Sequence, residues 1–157
     1  MKYRVTNVHD QIMHGAIAGI IGAIVQSAFA LIAKTLHFTD RVFLDYGEVL
    51  ILGRDVGGMA SIIGAAAHLM NAAVWGIIFS FIMRFSKKRY YILKGMGLGI
   101  FVWLFSLALA TLFKLPSFNM IPTSTAYVLL FGAMIWGLTM AFVYRYFDRK
   151  IKNDANI

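Results

Sequence analysis

A chain of 157 residues that is 60% hydrophobic and only 14% charged is not composed like a soluble domain, which carries roughly 45–50% apolar and about 25% charged residues. The absence of cysteine excludes disulfides, zinc–thiolate sites and thiol nucleophiles. A formal charge of +8 would suit nucleic acid, but the basic residues lie between long apolar runs, where membrane orientation accounts for them and no nucleic-acid partner is needed.

The first apolar run covers residues 15–33, close to the roughly 20 residues that cross a bilayer core. It follows Lys2 and Arg4 as a signal peptide would, yet it exceeds a usual h-region and no small-x-small site precedes a polar start. It therefore reads as a retained helix. Gly15, Gly19, Gly22 and Gln26 recur at i, i+4, i+7 and i+11, one face of small residues ending in a polar one.

Residues 37–56 form an outer loop whose middle, VFLDYGEVLIL, is too short to span and reads as an amphipathic or re-entrant segment. Its acids Asp40, Asp45, Glu48 and Asp55 are balanced by Arg41 and Arg54 as a solvated face, or they serve to collect cations or contact a partner. The second run, 57–83, carries the stripe Gly57, Ser61, Gly64, His68, Asn71 and Trp75. The connection RFSKKRYYILK follows, with Arg84, Lys87, Lys88, Arg89 and Lys94 beside Tyr90 and Tyr91. It suits a cytoplasmic anchor with an aromatic belt, or a grip on anionic lipid.

The third run, 95–113, repeats the seam with Gly95, Gly99 and Ser106, Val102 taking the remaining slot. KLPSFNMIPTST then holds both prolines and reads as a tight loop, with Thr123 or Ser124 to cap the last helix. The fourth run is 125–144, followed by a basic tail. The expected fold class is thus all-α: a polytopic membrane protein of four transmembrane helices forming a single domain over residues 1–157.

Eleven of the fifteen basic residues fall in the N-terminal tail, the 84–94 connection and the C-terminal tail. The positive-inside rule then puts both termini in the cytoplasm. Shifting the first helix by 80 positions sets Gly15 on Gly95, Gly19 on Gly99 and Lys34 on Lys114. Shifting the second by 61 sets Trp75 and Gly76 on Trp136 and Gly137, and Arg84 on Arg145. The chain reads as two tandem hairpins, 14–86 and 94–147, with 37–56 inserted in the first. Such copies are parallel, related by an axis along the membrane normal.

Helices in lipid associate through small residues and interhelical hydrogen bonds, so Gly15, Gly19, Gly22, Gly57, Gly64, Gly95 and Gly99 are the expected packing positions. Counting from His14, Arg84 and Lys94, Gln26 and Ser106 lie about 18 Å in, Asn71 about 20 Å and His68 about 24 Å. Gln26, Ser106 and Asn71 are expected at one level, able to form a hydrogen-bonded layer. With His68 they suit either a structural clasp or a ligand or proton site, because polar groups in hydrocarbon must find partners. His9, His14 and His37 share no depth with His68, and no metal or cofactor is expected.

The residues HLMN at 68–71, IIFS at 77–80, GAMIW at 132–136 and YR at 144–145 make the chain similar to the YagU-type bacterial inner-membrane proteins. The resemblance implies roles for Gly15, Gly19, His68, Asn71, Gly132 and Trp136. It implies a location in the inner membrane of a bacterium and no nameable enzymatic activity. Ala133 stands where a relative has histidine, so no paired-histidine site within one subunit is implied. The function expected is a non-enzymatic accessory or scaffold subunit, a homo-oligomer or bound to a larger membrane partner in the lipid bilayer through its small-residue faces. The alternative is a small oligomeric transporter or channel using the polar site around His68, Asn71 and Gln26.

Overall fold

Backbone N–H and C=O groups find no water in hydrocarbon, so segments this apolar must satisfy them internally, which a helix does. The structure, a computed structural model, describes residues 8–54, 56–86 and 89–154. It holds α1 (Val8–Thr35), α2 (Phe43–Leu52), α3 (Ala60–Phe85), α4 (Tyr91–Leu112) and α5 (Thr123–Asp154), with no strand among the described residues. Of these, α1, α3, α4 and α5 are long and apolar enough to cross a membrane. The ten residues of α2 reach only about 15 Å.

One boundary departs from expectation. Gly57 and Gly58 have φ of 71° and 62°, a left-handed conformation that glycine adopts without steric penalty, and α3 begins only at Ala60. A side chain at Gly57 would meet nothing within 4 Å. Gly57 is therefore a turn residue and not part of a helix seam. Since α5 starts at Thr123, Thr123 and Ser124 lie inside the first turn, and Pro122 occupies the cap position.

The packing order is α3–α1–α5–α4, with α2 laid against α3 and with α3 and α4 barely touching. Close approach of backbones sets the two hairpins. Gly15 backs onto the Gly76 carbonyl and Ser80, and Gly19 onto Ala72. Likewise Gly95 backs onto Gly137 and Ala141, and Gly99 onto Ala133. A Cβ at any of these four glycines would overlap a carbonyl oxygen of the facing helix. Gly64 serves α2 instead, facing Leu44 and Glu48. Sequence reasoning left out Gly76, Gly137 and Gly47, which take the other side of these contacts.

The central α1–α5 pair closes through Trp136. Its indole lies over Gly22, and Nε1 donates to the Gly19 carbonyl at 3.1 Å. Trp136→Phe keeps most of the ring and removes that bond, so unfolding in detergent should show a loss of about 1 kcal/mol. Two apolar clusters result. One, around Phe79, Met83, Tyr91, Met140 and Tyr144, lies toward the end of α3 and the start of α4. The other, around Val49, Ala110, Phe118 and Leu129, lies toward α2.

Candidate functional site

Between these clusters, where α3 and α4 stand apart, lies a cavity of about 150 Å³. All five helices contribute to its wall: Gln26 from α1, Phe43 and Tyr46 from α2, His68, Asn71 and Trp75 from α3, Phe105 and Ser106 from α4, and Ala133 and Trp136 from α5. The four polar residues singled out in the sequence are therefore brought to one place. They do not bond to one another: among the described residues, no hydrogen bond joins the side chains of Gln26, His68, Asn71 and Ser106.

Their burial is graded. Gln26 is 4% exposed and Ser106 9%, whereas Asn71 is exposed at the rim. His68 lies between, its Nε2 buried without a hydrogen-bond partner among the described residues. Its ring runs parallel to Phe43 at 6.1 Å between centroids. Trp103 Nε1, in the cluster toward α2, is also buried without a partner. Trp75 meets Phe101 and Phe105 edge-on, each at 6.1 Å.

The part of the site that sequence reasoning missed is α2. Phe43 and Tyr46, one helical turn apart, face inward as a lid wall. The Tyr46 hydroxyl donates to the Ser106 carbonyl at 3.2 Å. Burial pushes the phenol above its ordinary pKa, so it stays a protonated donor. An aromatic pair at i, i+3 within the short apolar segment was the available signal.

The loop acids hold α2 in place. Asp45 Oδ2 accepts from Lys34 Nζ at 2.8 Å and from the Val42 N–H at 2.9 Å, pinning the start of α2 to the end of α1. Asp40 accepts from Thr125 Oγ1 at 3.2 Å and pairs with Arg41 Nε at 3.3 Å. Arg41 also donates to the Ser117 and Met120 carbonyls. Glu48 is fully buried and its Oε1 accepts the N–H groups of Val56 and Gly57 at 2.6 and 2.8 Å. Asp55 lies outside the described residues. Among the described residues no three His, Asp or Glu side chains are placed to hold a metal ion.

Those two N–H bonds hold the Glu48 carboxyl below the ordinary carboxylate range, ahead of the weaker contributions of Ser61 and Lys34. A carboxyl lowered in the folded state contributes stability above its unfolded pKa and loses it as pH falls through the folded value. The Val56 and Gly57 amides should therefore stay protected from hydrogen exchange at neutral pH. Protection should persist just below the usual glutamate pKa and fail at lower pH. Glu48→Gln should remove that acid step and lower protection at neutral pH.

At the opposite end the basic residues mesh with aromatic ones. Arg84 donates to Gln11 at 3.3 Å, Tyr91 donates to Asp148 at 2.9 Å, and Arg145 lies 5.9 Å over the Tyr91 ring. Arg89 sits 4.9 Å over Tyr90, while Lys87 and Lys88 lie outside the described residues.

No curated protein and no solved structure matches the chain. A family match covers residues 9–155, and it carries no link to the YagU-type proteins. By that match over nearly its whole length, the chain belongs to DUF6789, a family of unknown function.

Proposed function

We propose that this is a non-enzymatic integral membrane protein that binds, and as an oligomer passes across the bilayer, a small, mostly apolar molecule held between α3 and α4. The observation that carries this reading is His68 Nε2, buried at the cavity without a partner. A clasp would have used that atom in a hydrogen bond within the chain. A polar atom buried and unpaired is costly, and a ligand that bonds it repays the cost.

The reading includes two tandem hairpins in the cytoplasmic membrane of a bacterium, with both termini inside. Eleven of fifteen basic residues on one side support the orientation. Matching contacts support the duplication: Gly15 with Gly76 and Gly95 with Gly137, Gly19 with Ala72 and Gly99 with Ala133. Gln11–Arg84 and Tyr91–Arg145 fall at aligned positions too.

On this reading the cavity has a specific cause. Gly22 leaves room for the Trp136 indole and α1 closes on α5. The aligned residues are Val102 and Trp75. The Val102 side chain fills the space that glycine leaves open, so Trp75 turns to Phe101 and Phe105 and α3 stays apart from α4. Gly15 and Gly19 fall at a helix crossing, His68, Asn71 and Trp136 line the cavity, and Gly132 faces the Gln26 side chain.

An accessory subunit is the second reading. Its glycine faces at Gly15, Gly19, Gly95 and Gly99 are spent on contacts within the chain. One observation favours it: Asn71 is exposed on a helix apolar enough to cross a membrane, a position that a partner's helix or a second copy would cover. Native mass spectrometry of the protein extracted gently from its own membrane separates the two. A chain or homo-oligomer carrying a small molecule, lost in Asn71→Leu, supports the binding reading. A stoichiometric foreign subunit with no small molecule overturns it in favour of the accessory role.

A further inference from the structure

Resting on the cavity reading above, we infer that the ligand is a single six-membered aromatic or quinonoid ring. It bears a hydrogen-bonding oxygen and hangs on an apolar tail that leaves sideways past α2 and α4. Four observations combine. The first is size: about 150 Å³ is the volume of a cavity that admits one benzene ring.

The second is the wall. Phe43, Tyr46, Trp75, Phe105 and Trp136 line the space, and aromatic walls favour a planar guest through offset or edge contacts. The third is polarity. No charged side chain lines the cavity, so the guest is neutral, since an ion would be desolvated without compensation. A bare hydrocarbon chain fails differently, because it leaves His68 Nε2 without a bond. An imidazole, two carboxamides and a hydroxyl can each serve a carbonyl or a phenol. An oxygen on the ring therefore satisfies what the hydrocarbon leaves unpaired.

The fourth is the opening. Leu50 and Phe105 line the cavity yet are 57% and 43% exposed. They mark a mouth on the flank of the bundle, between the short α2 and the membrane-crossing α4. A tail leaving there meets lipid. A prenylated quinone or a lipid-borne phenol has this form, and a free phenol is the same ring chemistry from a different source.

The test uses the whole protein in nanodiscs of a zwitterionic phospholipid with three probes: a decyl-tailed benzoquinone, tail-free phenol, and decanol as a ring-free tail. Native mass spectrometry reads stoichiometry, and Trp75 and Trp136 in the wall supply a saturable fluorescence change. The expected result is one tailed quinone per chain, at least tenfold tighter than phenol or decanol. His68→Leu should weaken it tenfold or more, and Asn71→Leu, at an exposed position, keeps the test open if His68→Leu does not fold. Equal binding of phenol and the tailed probe overturns the lipid-borne source and assigns a free solute. Decanol binding as tightly as the quinone overturns the ring while the cavity reading stands. If no probe binds and the protein leaves its own membrane with no small molecule, the cavity reading itself fails.

Discussion

Gly76→Leu is expected to unfold the first hairpin. A Cβ at Gly76 would overlap the Gly15 carbonyl and crowd the Gly19 backbone, so the larger side chain must push α3 off α1. Overpacking of a tight contact costs about 3 kcal/mol, a large share of the roughly 5–15 kcal/mol that holds a typical fold. Here the obstacle is backbone, which cannot rotate aside. Detergent unfolding should give a strongly lowered midpoint or no folded protein. Gly97→Leu is the control: it lies on an exposed face with nothing within 4 Å of a new Cβ. It should be neutral or add up to about 0.8 kcal/mol through helix propensity. Equal losses at the two positions would mean that the damage comes from the helix itself and not from the crossing.

The second large effect is a split between stability and binding at His68. Because Nε2 is buried without a partner, His68→Leu exchanges an unsatisfied polar group for an apolar one of similar bulk. The ligand-free protein should gain about 1 kcal/mol of stability. On the proposed binding function, retention of a small molecule should fall at least tenfold, about 1.4 kcal/mol of binding. A structural clasp predicts the reverse sign for stability. Chemical denaturation and native mass spectrometry of the same preparation give both numbers, and a destabilised variant would return His68 to a purely structural role.

Sequence alone determined the four long apolar helices and the faces on which small and polar residues recur. Both are local properties. A bilayer demands internally bonded backbone segment by segment, and a 3.6-residue period puts Gly15 and Gly19 on one side whatever lies opposite. That Gln26, Ser106 and Asn71 reach one cavity was legible for the same reason, since helical rise converts position into distance along the bundle.

What each face meets was decided only by the tertiary structure. Periodicity assigns Gly64 to a seam, but its neighbour proved to be α2 and not a long helix. Gly57 fits the same period, yet its left-handed backbone ends the pattern before α3 begins. The loop acids Asp40, Asp45 and Glu48 spend their charge on Thr125, Lys34 and two backbone N–H groups, partners defined by how α2 docks. The cavity is the clearest case. Gly22 admits the Trp136 indole into the α1–α5 seam, whereas Trp75 meets Phe101 and Phe105 and α3 stays off α4. Such a decision depends on shapes supplied by distant parts of the chain, so no local pattern encodes it.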